Sequence, residues 1–283
     1  MSDVEDPRPL DWMRRSTIEG LVALVVGGGH GMGAACARTF AANGGAVVVA
    51  DINESNARGV AEEIAGRGAR AVSVRMDVGS GPDVEDAVAA TIAQFGRLDV
   101  LINVAMSVKA AMLEDLDLDE WESAFRVNVT GALQLARACL PHLRKSPAPA
   151  IVHAGSLAGV NGYARSGSYG PSKAALMTMS RQMALEWAVD GIRVNVVVPG
   201  TILTADQNLT EVAMATRREQ IPLGRLSYPS EQADLAVFLA SQAASFITGQ
   251  AFVCDGGFAQ NLYPQPLGMS ETLRQQAERL SAS

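Results

Sequence analysis

Three side chains in the stretch 156–173, SLAGVNGYARSGSYGPSK, could share one proton: Ser156, Tyr169 and Lys173. Tyr169 and Lys173 are four apart, so on a helix they lie one above the other on the same face. A phenol, with an ordinary pKa of about 10, is a poor acid or base at neutral pH. An ammonium beside it favours the phenolate and draws that pKa toward the working range. Ser156 closes the apolar run AIVHAGS and can aim a hydroxyl at the same point. Such a set could move a proton to or from a carbinol oxygen while a hydride leaves or reaches its carbon. Tyr-x-x-x-Lys pairs are common on helix surfaces, so the elements around this one have to carry the argument.

The first such element is a loop. The continuous apolar run LVALVV (21–26) reads as a strand buried on both faces. Gly27-Gly28-Gly29-His30-Gly31-Met32-Gly33 follows, and then a helix begins. Glycines in that position let the backbone turn tightly and approach a pyrophosphate, with the helix N-terminus offering N–H donors. Asp51 ends the next strand, AVVVAD, where a carboxylate can accept from the hydroxyls of a ribose and would repel a 2′-phosphate. Ile52 and Asn53 come next rather than a cation, and His30 is mostly neutral at pH 7, which favours NAD over NADP. The competing role for Asp51 is to cap the following helix.

Strands and helices alternate from there. RAVSVRMD (70–77), LDVLIN (98–103), APAIVHAGS (148–156), IRVNVVVPG (192–200) and QAFVCDGG (250–257) read as strands. Helices fall between them, including a long one from about Leu118 to Arg144 and one carrying Tyr169; 201–222 is less regular. This alternation predicts an α/β fold: a Rossmann-like, doubly wound parallel sheet of about seven strands with helices on both faces. Residues 20–260 are expected to form a single domain, 1–19 an extension without periodicity, and 261–283 a tail.

Bulk properties narrow the classes. Hydrophobic residues make up 48% and aromatics 5%, so the core must be aliphatic. The net charge of −7 and the lack of a basic block argue against nucleic acid or an anionic membrane as partner. Cys36, Cys139 and Cys254 are scattered, and neither they nor His30, His142 and His153 show metal-ligand spacing. Reduced thiols, an acidic polar start and no membrane-length apolar run suggest a cytoplasmic protein.

With these residues in place, the chain resembles the short-chain dehydrogenase/reductase family over 21–260. The glycine loop is similar to that family's Gly-x-x-x-Gly-x-Gly motif. Asp77-Val78 resembles its adenine-contacting pair, and Asn103-Val104-Ala105-Met106 its Asn-Asn-Ala-Gly segment. Asn128 falls where the family keeps an asparagine that anchors a relay water, and Ser156, Tyr169 and Lys173 match its catalytic set. Pro199-Gly200-Thr201-Ile202-Leu203-Thr204 resembles the segment that meets the nicotinamide carboxamide. Val26, Val104 and Met106 depart from the usual Thr, Asn and Gly, which could reshape the floor beside the cofactor.

The resemblance implies an NAD(H)-dependent oxidoreductase acting on a small-molecule secondary alcohol or ketone. Tyr169 would be the acid/base, Lys173 its activator and a ribose ligand, Ser156 the holder of the substrate oxygen, and Asn128 the holder of the relay water. It further implies a substrate lid over 205–221 and a homotetramer. Tyr163 could line the pocket, while His153 and Cys254 read better as core residues. Rival readings are an NADPH-dependent 3-oxoacyl-(acyl carrier protein) ketoreductase, a methyltransferase, and a non-catalytic nucleotide-binding protein of the same fold.

Overall fold

The computed structural model describes residues 11–204 and 210–261. Its seven strands are β1 Val22–Val26, β2 Ala46–Asp51, β3 Ala71–Arg75, β4 Val100–Asn103, β5 Ala150–Ala154, β6 Arg193–Pro199 and β7 Ala251–Cys254. They form one parallel sheet in the order β3-β2-β1-β4-β5-β6-β7. The helices are α1 Trp12–Ser16, α2 Gly31–Ala42, α3 Glu54–Gly66, α4 Gly81–Phe95, α5 Leu118–Phe125, α6 Ala132–Leu143, α7 Tyr169–Glu186, α8 Glu211–Gln220 and α9 Pro229–Ala240.

Every residue of β1, β2, β4 and β5 is buried, because helices cover both sides of the sheet. One core takes Phe40 of α2, Val60 and Ile64 of α3 and Leu239 of α9. The opposite core takes Val84 and Val88 of α4, Leu135 and Cys139 of α6 and Met183 of α7. Local signals set the helix ends. Asn53 accepts from Asn56 N at the start of α3, Ser80 accepts from Asp83 N at the start of α4, and Gly96 closes α4 at φ 75°.

Three expectations need correction. The long helix at 118–144 is α5 and α6 joined through a π-helical segment, Arg126–Gly131. The irregular stretch after residue 200 contains α8. The extension expected at 1–19 is helical in part: Asp11 accepts from Met13 N to start α1, and Trp12 stacks on Phe238 of α9 at 6.0 Å. Residues 1–10 and the tail beyond 261 lie outside the described residues.

Strand order reverses direction between β1 and β4. The crevice at the carboxyl ends of those two strands is where an open α/β sheet receives its ligand. The glycine loop follows β1 and Asn103 ends β4, so both predicted segments arrive there.

Candidate active site

The glycine loop is built for close approach. Gly27 has φ +73°, and a Cβ on it would lie 2.8 Å from Ala105 N. At Gly33 a Cβ would lie 1.9 Å from the Gly27 carbonyl oxygen, so the first turn of α2 can pack on the loop only with hydrogen at that position. His30 precedes α2 without a side-chain cap, and the N–H groups of Met32 and Gly33 belong to the end of the helix that favours an anion. Such a cradle fits a dinucleotide pyrophosphate.

Asp51 sits beside that cradle, 6% exposed. Its two oxygens accept from Gly29 N and from Asn53 N, each at 2.9 Å. Asn53 rather than Asp51 caps α3, so the carboxylate faces the loop instead of the helix. Ile52 next to it is 62% exposed and offers an apolar surface at the same corner. Beyond β3, Asp77 Oδ1 accepts from Gly79 N at 2.8 Å, which fixes the turn carrying Val78.

β5 delivers Ser156 in extended backbone at φ −162°, and its Oγ accepts from Ala158 N at 3.2 Å. Tyr169 opens α7, and Lys173 lies one turn later, 1% exposed. The Lys173 Nζ donates to the Ala154 carbonyl at 2.7 Å and stands 5.7 Å from the centre of the Tyr169 ring. Burial lowers the Lys173 pKa to about 8. The Tyr169 phenol is raised above its ordinary value by burial, and hydrogen bonding with Ser156 opposes that shift. The expected lowering by the ammonium is therefore not what the geometry shows: Lys173 is turned onto a carbonyl, and desolvation dominates the phenol.

Asn128 also differs from expectation. It is 1% exposed within the π segment. Its Oδ1 accepts from Ser107 N at 2.7 Å, while its Nδ2 donates to Ser107 O and to Ser172 Oγ, both at 2.9 Å. The amide thus clamps the loop after β4 to α7. A π-turn often marks a functional site, and here it aims this amide across to α7.

Asn103 ends β4 with its Oδ1 accepting from Ala105 N at 3.2 Å. Its Nδ2 is 3.4 Å from His153 Nδ1. His153 is fully buried, as expected of a core residue, but among the described residues its Nε2 has no partner. Burial pushes the His153 pKa down to about 3, so the ring is neutral. Gly200 N donates to Cys254 O at 3.0 Å, Ile202 bridges to Ser227, and a Cβ on Gly31 would lie 3.4 Å from the Thr204 methyl. Of the segment Pro199 to Thr204, Thr204 thus reaches the glycine loop. Part of the expected lid, 205–209, lies outside the described residues, and α8 forms most of the remainder. Tyr163 is exposed in the loop before α7, and Cys254 is half-buried at the end of β7.

Ser107, Ser172 and the Ala154 carbonyl complete the site, and single-residue reasoning did not single them out. Each acts through a contact distant in sequence. A groove of about 820 Å³ between α4 and α6 borders none of these residues. Among the described residues no His, Cys, Asp and Glu cluster is arranged to hold a metal, and no helix is long and apolar enough to cross a membrane.

Comparison with known proteins agrees with this geometry. The family model described as enoyl-(acyl carrier protein) reductase matches residues 27–259. The chain is 40% identical to cis-4-hydroxycyclohexanecarboxylate dehydrogenase of Sinomonas cyclohexanicum, over 84% of this chain and 96% of that one. It is 38% identical to 2,5-dichloro-2,5-cyclohexadiene-1,4-diol dehydrogenase LinX of Sphingobium indicum, over 86% and 97%. A solved structure of 7α-hydroxysteroid dehydrogenase, complexed with NADH and 7-oxo glycochenodeoxycholic acid, superposes with a TM-score of 0.83 at 32% identity, covering 86% and 96%. A doubly wound sheet with a glycine loop at its switch point is a dinucleotide-binding architecture. The chain belongs to the short-chain dehydrogenase/reductase family, binds a nicotinamide cofactor and acts on CH–OH groups of a small molecule.

Proposed function

We propose that the chain interconverts a secondary alcohol and its ketone with NAD(H), and that Tyr169 is the acid/base. The observation that carries this reading is the buried Lys173, one turn after Tyr169 and pinned by the carbonyl of Ala154, the last residue of β5 and two before Ser156. That placement brings a phenol, a hydroxyl and a cation together beside the glycine loop.

The backbone of Gly27, Gly29, His30, Gly31, Met32 and Gly33 would hold the pyrophosphate. Asp51 and Ile52 would hold the adenosine ribose, and Asp77 and Val78 the adenine. Asn103, Ala105, Lys173, Pro199, Gly200, Ile202 and Thr204 would hold the nicotinamide riboside. When bound, nicotinamide supplies the hydride exchange. The residues do the rest. Ser156 holds the substrate oxygen by a hydrogen bond, and Tyr169 gives that oxygen a proton in reduction or removes it in oxidation. Its raised pKa keeps the phenol protonated at neutral pH, ready to donate to a carbonyl oxygen. The hydrogen bond with Ser156 opposes that shift and favours the phenolate when it is required.

Asp51 supports NAD over NADP, since its carboxylate would face a 2′-phosphate. The matching family model's description names an acyl-carrier-protein reductase, which supports as a second reading the rival 3-oxoacyl-(acyl carrier protein) ketoreductase; its NADPH dependence is part of that rival reading. The reading also includes a homotetramer in the cytoplasm. The exposed Leu118 of α5 and Leu185 of α7 support pairing through those helices, and light scattering tests it. The decisive experiment follows nicotinamide absorbance over an alcohol and ketone panel with NAD and with NADP. Turnover with NAD that is lost in Tyr169→Phe, with NAD binding retained, is the expected result. Full activity in Tyr169→Phe, or a preference for NADP, overturns the corresponding part.

A further inference from the structure

The Tyr169 hydroxyl meets a sulfur. It lies 3.7 Å from the Sδ of Met106, the residue that stands where the family pattern has glycine. The backbone of Met106 is held from both sides: Asn103 Oδ1 accepts from Ala105 N, and the Asn128 amide clamps both backbone groups of Ser107. The side chain is 54% exposed. An unbranched thioether on a fixed backbone can swing, because methionine has three rotatable bonds and a soft, polarizable sulfur.

Proton transfer needs the substrate oxygen within about 2.6–3.2 Å of the phenol oxygen. The thioether occupies that approach as a weak acceptor, so substrate must turn it aside and then pack against it. The neighbouring segments have the same character. Val108 and Met112 on the loop after β4, Tyr163 on the loop before α7, and Leu203 beside Thr204 are all exposed. The first two of these loops are joined by the Ala111–Ser166 bridge and by Gly167 N donating to Ala111 O at 3.2 Å. Lys109, the one charged residue between Asn103 and Leu113, is ion-paired to Glu120.

We infer that Met106 is a specificity-determining residue contacting the substrate, which is a secondary alcohol whose carbinol carbon carries hydrocarbon groups rather than further hydroxyls. The inference rests on the proposed alcohol–ketone chemistry. Hydrocarbon groups on the carbinol carbon replace the displaced thioether contacts with apolar contacts. A polyol would set hydroxyls against sulfur and aliphatic walls with no partner, and unpaired polar groups are heavily penalised.

The test compares kcat/KM for cyclohexanol and for a four-carbon polyol, with NAD, in wild type, Met106→Leu and Met106→Asn. Wild type is expected to prefer cyclohexanol by about tenfold or more, the scale of discrimination between apolar and unpaired polar contacts. Met106→Leu keeps the apolar wall and should hold that preference within about threefold. Met106→Asn should erode it about tenfold through the KM for alcohol, with the KM for NAD unchanged. A polyol preference in wild type, or the same preference in wild type and Met106→Asn, overturns the inference while leaving the alcohol–ketone reading intact. No nicotinamide turnover by wild type with any alcohol or ketone overturns both.

Discussion

Two buried cations stand at opposite edges of neighbouring strands, and they are used in opposite ways. Arg193 begins β6, at the amino-terminal edge of the sheet. Its guanidinium donates to Leu239 O at 2.6 Å, Ala244 O at 3.1 Å, and Ala240 O and Ser241 O at 3.2 Å each. These are the carbonyls left over at the end of α9 and in the turn after it, so the arginine acts as that helix's cap. Lys173 stands over the carboxyl end of β5 and, among the described residues, makes one hydrogen bond, to Ala154 O. An ammonium carries three donors. Burial without saturation costs stability and keeps donors directed at the site. Burial with saturation does the reverse. The carboxyl edge of the sheet is the chemical edge because its polar groups are left with capacity to bind something else.

The strongest way to break this comparison is at the phenol. Tyr169→Phe is expected to lower turnover by about 10²–10⁴-fold, the usual contribution of a positioned acid/base, with the denaturation midpoint close to wild type. Lys173→Met should lose activity on a similar scale without destabilising the fold, since it removes a charge with little satisfaction. Arg193→Met should show the converse: a loss of roughly 3 kcal/mol or more by urea unfolding, from several buried carbonyls left bare, with kcat per folded molecule unchanged. If Lys173→Met unfolds the protein and Arg193→Met does not, the assignment of the two roles is reversed.

A smaller effect sharpens the cofactor corner. Asp51→Asn should raise the KM for NAD about tenfold and narrow the gap to NADP, because a charge-assisted acceptor is lost. The smallest effect is on stability against pH. Burial lowers the Lys173 pKa from 10.5 to about 8, so the folded state binds this proton more weakly than the unfolded chain does. Below about pH 8 both states carry the charge and the full penalty of burying it is present. As pH rises above that value the penalty is relieved and stability increases. Burial raises the pKa values of Cys36, Cys139 and Cys254, which lowers stability in the same range, so the lysine is isolated only by the difference from Lys173→Met. Wild type should gain urea resistance across that range relative to Lys173→Met. Parallel curves for the two proteins would refute the burial argument.

Much of this was legible from local pattern. The Val- and Ala-rich runs announced buried strands, and the glycine loop after the first of them announced the turn into a helix. The glycine loop, Asp51 and the Ser156–Tyr169–Lys173 spacing located the carboxyl-edge crevice, because those groups cluster along short stretches next to strand ends. What escaped was whatever depends on a distant partner. Nothing near Arg126–Gly131 announces a π-turn, whose role appears only when Asn128 reaches Ser107 and Ser172. Trp12 read only as part of an extension without periodicity because its partner, Phe238, lies on a helix near the other end of the chain.

The amino-acid sequence by itself determined the order of strands and helices, the loop able to cradle a pyrophosphate and the residues able to exchange a proton. Hydrophobic period, glycine steric freedom and side-chain chemistry are local properties, readable one stretch at a time. Only the tertiary structure decided that Lys173 is desolvated and held on Ala154, that the Asn128 amide is a clamp, and that a thioether from the loop after β4 rests on the Tyr169 hydroxyl. Those facts arise from packing between segments far apart along the chain, and burial, which sets the sign of each shift, exists only once the sheet and its two helical layers have closed.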